Sequence, residues 1–159
     1  MASRFVLTPY SAEFPAANFP QLQLVNRRPV LSFDAATKET CYWTVILPQG
    51  WTGAVHAFIY YIMASATSGD VDVNVAVEAV TDADAFDMDA GDSFDTVNAL
   101  DNTTVPGTAG YMDVIDVTLT NFDSGAAGDY VRFSLDRDAP DDTATGDMHV
   151  LAVEIRDGA

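Results

Sequence analysis

From Ala54 to Val80 the chain reads AVHAFIYYIMASATSGDVDVNVAVEAV, two long runs of strand pattern joined by a short Ser/Thr/Gly turn. In the second run Val71, Val73, Val75, Val77 and Ala79 fall on one face and Asp72, Asn74 and Glu78 on the other, the period of two of a half-buried antiparallel strand. The first run differs. Val55, Ala57, Ile59, Tyr61 and Met63 alternate with Phe58, Tyr60 and Ile62, so both of its faces are apolar. A sandwich of two sheets covers one face of each strand. Phe58, Tyr60 and Ile62 are therefore expected to need cover from something beyond the two sheets.

Shorter alternating runs fill the rest: Val30 to Phe33, Cys41 to Leu47, a weaker Asp95 to Val105, Met112 to Leu119, Tyr130 to Asp136, and Met148 to Arg156. Turn signals such as Pro48-Gln49-Gly50, Ser68-Gly69-Asp70 and Pro106-Gly107 separate them. No helical pattern longer than about two turns competes. About eight strands without βαβ units predict an all-β fold, an antiparallel β-sandwich of jelly-roll-like type over residues 30–159.

Residues 1–29 read differently. Pro9, Pro15, Pro20 and Pro29 break regular ladders, while Phe5, Tyr10, Phe14, Phe19, Leu22 and Leu24 supply side chains that favour burial. This predicts an extended N-terminal arm, anchored by those six residues on its own domain or on a neighbour. Arg27 and Arg28 would pair with acidic groups on a neighbour.

Length and composition narrow the function classes. The 159 residues suit one domain, and a hydrophobic content of 48% argues against disorder. Seven Lys and Arg oppose 24 Asp and Glu, a net charge of −17 that repels phosphate backbones and makes nucleic acid an improbable partner. The opening MASRFVLTPY lacks the apolar core of a signal peptide, and the apolar run around His56 is too short to span a bilayer as a helix. A soluble protein with no membrane partner is expected. Cys41, the single cysteine, sits beside Tyr42 and Trp43 and reads as a buried structural thiol.

Candidate chemistry is sparse. His56 and His149 lie far apart in sequence. Asp82, Asp84, Asp87 and Asp89 share one acidic loop with Asp92 and Asp95, and hard oxygen ligands gathered this way are what calcium takes. The spacing does not fit an EF-hand, so a solvated loop is the main expectation, with no metal and no cofactor. No phosphate loop, Cys-x-x-Cys pair, nucleophile elbow or His-Glu-x-x-His occurs. A non-enzymatic role is expected. Trp43, Trp51, Tyr60 and Tyr61 are the candidates for a sugar-stacking row, but Trp43 falls in an apolar strand and Tyr60 on the face that needs cover, so core or interface packing is the main expectation and only Trp51, beside the Pro-Gln-Gly turn, looks free to be exposed. A carbohydrate- or receptor-binding β module of a phage tail or secreted protein is the alternative function.

The order of elements resembles a known family. FPAANFPQLQLVNRRPVLSFD, FDAATKETCYWTVILPQGW, YYIMASATSGDVDVNVAVEAV, PGTAGYMDVIDVTLTN and HVLAVEIRD together are similar to the jelly-roll proteins that decorate tailed-bacteriophage capsids as trimers. The resemblance implies a homotrimer, made in the host cytoplasm, that binds the major capsid protein on the outside of the virion and stabilises the shell. Phe58, Tyr60 and Ile62 would then face the trimer contact or lie under the arm.

Overall fold

The computed structural model describes residues 2–51 and 55–157. Ala54, where the sequence pattern begins its long strand, lies outside them. Ten strands are described: β1 (Ala2–Leu7), β2 (Gln21–Val25), β3 (Arg28–Phe33), β4 (Glu39–Ile46), β5 (Val55–Met63), β6 (Asp70–Val80), β7 (Asn98–Thr104), β8 (Met112–Thr118), β9 (Tyr130–Arg137) and β10 (Met148–Asp157). They form two antiparallel sheets. One is six-stranded, in the order β2-β3-β10-β5-β8, with β1 beside β10; the other is four-stranded, β4-β9-β6-β7. On one edge of β10, β3 takes Met148 to Val150 and β1 takes Val153 to Asp157, so the two short strands lie end to end.

The core fills the space between the sheets. Val55, Ala57, Ile59, Tyr61 and Met63 of β5 face Val71, Val73, Val75 and Val77 of β6, and all are buried. Trp43, Phe33 and Phe133 occupy the centre of the same cluster. Cys41 is fully buried there, and burial pushes its thiol well up.

The N-terminal region departs from the expected arm. Residues 2–7 and 21–25 are strands of the six-stranded sheet, because β1 precedes Pro9 and β2 lies between Pro20 and Pro29, where no ladder donor is missing. Between β1 and β2, residues 8–20 form no named strand. They run along the edge of the other sheet, through the paired backbone bonds of Glu13 with Tyr42 and the Thr40 amide to the Asn18 carbonyl. The Trp43 indole also donates to the Thr8 carbonyl at 2.9 Å. This segment belongs to its own domain.

Phe5 is corrected with it. Its ring lies 6.0 Å from that of Trp51 and 5.8 Å from Phe133, so it packs, partly buried, on the core of its own domain. Trp51, expected to be exposed, is 8% exposed because Phe5 and Phe122 stack on it.

The polar face of β6 is buried too. Asp72, Asn74 and Glu78 are each less than one-tenth exposed. Asn74 donates to Asp136 at 3.0 Å, and Glu78 accepts from the Ser93 amide at 2.6 Å and meets Arg132 at 3.2 Å. The acidic loop after β6 folds back over this face, held by Arg132 to Asp92 and by the Phe94 ring against Tyr42.

Candidate functional site

The outward face of the six-stranded sheet carries the side chains that the core does not use. Register fixes its rows. Glu154, Phe58 and Asp116 are cross-strand neighbours, as are Arg156, His56 and Thr118; Ala152, Tyr60 and Val114; and His149, Ile62 and Met112. Val6 extends the Glu154 row onto β1. From His56 to Ile62 the strip is about 20 Å long at the usual rise per residue.

Its middle is a fixed polar and aromatic cluster. The Tyr60 hydroxyl donates to Glu154 at 3.0 Å and accepts from Arg156 at 2.9 Å. Arg156 is also paired with Glu154, and its guanidinium lies 3.8 Å from the Phe58 ring centre. Donating to the Glu154 carboxylate and to the Tyr60 hydroxyl raises the Arg156 pKa, so it stays charged. At the far end of the strip His56 stacks on Phe58 and its Nδ1 lies 2.7 Å from Asp116. Phe58, Tyr60 and Ile62 are thus half-buried by their own sheet. Glu13 and Asn18 of the segment 8–20 are bonded to Tyr42 and Thr40 of β4, in the other sheet.

At the Ile62 end the face sinks into a depression of about 450 Å³. Val25, Ile62, Met112 and Leu151 make it apolar, Asn26 and Arg28 give it a polar rim, and Gly110 completes it. Two local devices shape it. The register of β10 against β5 slips between Val150 and Ala152, a bulge that turns Leu151 toward the depression. The β2–β3 hairpin turns on Asn26 and Arg27, both with positive φ, the two-residue turn that matches strand twist. Arg27 and Arg28 are exposed at its tip. In the same row as Ile62 and Met112, His149 is buried, its Nδ1 has no partner, and burial lowers its pKa.

The other expected site residues scatter. Tyr10, Leu22 and Leu24 are exposed, on the surface of the same chain, while Phe14 and Phe19 pack on each other with ring centres 5.5 Å apart. Asp82, Asp84, Asp87 and Asp89 are exposed, and two of them turn toward local amides: Asp84 accepts from the Thr81 amide at 2.8 Å and Asp87 from the Asp89 amide at 3.0 Å. Among the described residues no three His, Cys, Asp or Glu side chains converge as a metal centre.

Sequence reasoning found Phe58, Tyr60 and Ile62 but missed Glu154, Arg156 and Asp116, which only register brings beside them. The signal available was the charged alternation of Glu154 and Arg156 opposite an apolar strand.

The chain matches no protein-family model and no curated protein sequence. Solved structures share its fold. A family 35 carbohydrate-binding module from an environmental isolate aligns with a TM-score of 0.54 and 11% identity over 98% of both chains. A carbohydrate-binding module of the Cellvibrio mixtus lichenase 5A, in complex with cellotriose, gives 0.51 and 10% over 99% of this chain and 100% of that one. The xylan-binding domain from Paenibacillus barcinonensis Xyn10C gives 0.51 and 12% over 99% and 97%. At such identities the likeness is one of fold: an all-β sandwich of jelly-roll type.

Proposed function

We propose that the chain is a non-catalytic carbohydrate-binding module whose recognition surface is the outward face of the six-stranded sheet. One arrangement carries this reading: Tyr60, Glu154 and Arg156 bonded to one another, with Arg156 laid over Phe58. A sugar ring offers a flat apolar face and a rim of hydroxyls. The cluster offers flat aromatic and guanidinium surfaces with a charged acceptor and several donors beside them. Because these groups already hold one another in place, a ligand does not have to order them. The fold supports the reading as well, since its solved neighbours include a module seen with cellotriose and a xylan-binding domain.

A glycan array tests it. The protein is expected to bind at least one class of oligosaccharide, and Arg156→Ala is expected to weaken that binding by about tenfold or more while leaving the melting temperature nearly unchanged. An array on which the parent binds nothing, or an Arg156→Ala variant that binds as the parent does, overturns the proposal.

A second reading, a phage shell-decorating subunit seated on the major capsid protein, rests on a different observation. β2 is the outermost strand of its sheet and pairs only with β3 among the described residues, yet it exposes Leu22 and Leu24 at 46% and 65%. An apolar edge without a guarding charge on those positions suits an assembly contact. Co-sedimentation with capsids of the cognate phage should then occur with the parent and fail with Leu22→Lys/Leu24→Lys; equal co-sedimentation of the two removes this reading.

A further inference from the structure

We propose that the depression beside the β2–β3 hairpin receives the acidic loop of a second copy of the chain, Met88 seating against Ile62 and Met112, and Asp87 and Asp89 facing Arg27 and Arg28. This goes beyond carbohydrate recognition and does not depend on it.

Charge points to the occupant. Lys38, Arg132, Arg137 and Arg156 are each paired with a carboxylate, whereas Arg27 and Arg28 have no acidic partner among the described residues. Two arginines without an acidic partner among the described residues, at one hairpin tip, make a positive spot on a chain of net charge −17. The tip holds Arg27 at a φ of 67°, a backbone conformation that glycine adopts without cost and arginine does not. The positive spot also adjoins an apolar depression. Its complement must therefore combine a protruding apolar side chain with flanking carboxylates.

The acidic loop has that composition. Met88 is 50% exposed between Asp87 and Asp89. The loop is held in shape by its own bonds, Asp84 to the Thr81 amide and Asp87 to the Asp89 amide, and is tied down behind by Asp92 on Arg132.

The two features cannot meet within one chain. The loop leaves β6 after Val80, beside the Asp123 carboxylate that accepts the Ala79 amide, which is the Thr118 end of the sandwich. The depression lies at the Ile62 and Met112 end, about 20 Å away along the strands. The contact is thus head to tail, and such contacts close into rings when the rotation between copies allows. A single loop tip buries far less than the roughly 1,000 Å² of a stable interface, so ring closure, in which each copy gives one loop and receives another, supplies the rest.

Sedimentation velocity on the full chain tests this with charge reversal at exposed positions. The parent is expected to self-associate. Arg27→Glu/Arg28→Glu and Asp87→Lys/Asp89→Lys should each lower the association constant by about tenfold or more, and the fourfold variant carrying both reversals should recover it. Near-ultraviolet circular dichroism checks that each variant keeps the parent fold. A parent that stays monomeric at every concentration, double variants that associate like the parent, or a fourfold variant that stays dissociated would each overturn the proposal.

Discussion

The guanidinium carbon of Arg156 stands 3.8 Å from the centre of the Phe58 ring, on the neighbouring strand and one diagonal step away. Phe58 itself is opposite Glu154, and Arg156 is opposite His56, so the arginine crosses the ladder to reach the ring. Its bonds to Tyr60 and Glu154 fix it there. An apolar strand face that the sequence leaves open is in this way converted into a rigid, charged and aromatic surface. That surface is the basis of the functional reading.

The first strand belongs to the core, and truncation should show it. Phe5→Ala removes a ring packed on Trp51 and Phe133. It is expected to cost about 3 kcal/mol, read as a fall of roughly 10 °C in melting temperature by calorimetry. Deleting residues 1–7 also bares one edge of β10 along Val153 to Asp157, leaving that stretch paired with β5 alone, and should leave no cooperative transition. A truncated protein that melts like the parent would restore the arm.

Arg137 and Asp142 form a buried pair, each side chain 1% exposed, with Arg137 also donating to the carbonyls of Ala144 and Gly146. Arg137→Met strands the Asp142 carboxylate and is expected to cost about 3–5 kcal/mol in denaturant unfolding. Adding Asp142→Leu should return part of that loss. Additive effects of the two substitutions would mean the pair is not coupled.

His149 supplies a pH signature. Burial holds its folded-state pKa below the ordinary value, so the unfolded chain takes up the proton first as pH falls. Stability contributed by the neutral ring is intact above about pH 6.5 and is lost as pH drops toward the lower folded value. Asp136, Asp142 and Glu39, which burial pushes up, act in the opposite sense: stability rises as pH falls through their folded values. The difference between the parent and His149→Phe isolates the histidine. The variant should lose less stability between pH 7 and about pH 5.5; parallel curves would contradict this.

Strands whose burial is local match their sequence pattern, and elements covered by residues distant in sequence do not. β6 spans Asp70 to Val80, as its alternation predicts, and the later strands fall within a few residues of their patterns because each buries one face on one core. β1 and β2 were hidden by neighbouring prolines. Pro29 sits inside β3 opposite Leu24, and β3 pairs with β10 only from Leu31 onward, so the missing amide costs no bond to β10. Trp51 looked exposed because Phe5 and Phe122, which cover it, are distant in sequence. The second face of β6 looked solvated because nothing in a period of two announces that Arg132 and Ser93 will cap Glu78. At the site, Phe58, Tyr60 and Ile62 were legible from doubled apolarity, whereas their charged partners depended on the register of β10.

The most direct test of the account is an amide chemical-shift titration with the oligosaccharide that binds most strongly on the array. The account predicts shifts concentrated at Phe58, Tyr60, Val114, Glu154 and Arg156, the outward face of β5, β8 and β10. Shifts confined to the loops at either end of the sandwich, with that face silent, would contradict it.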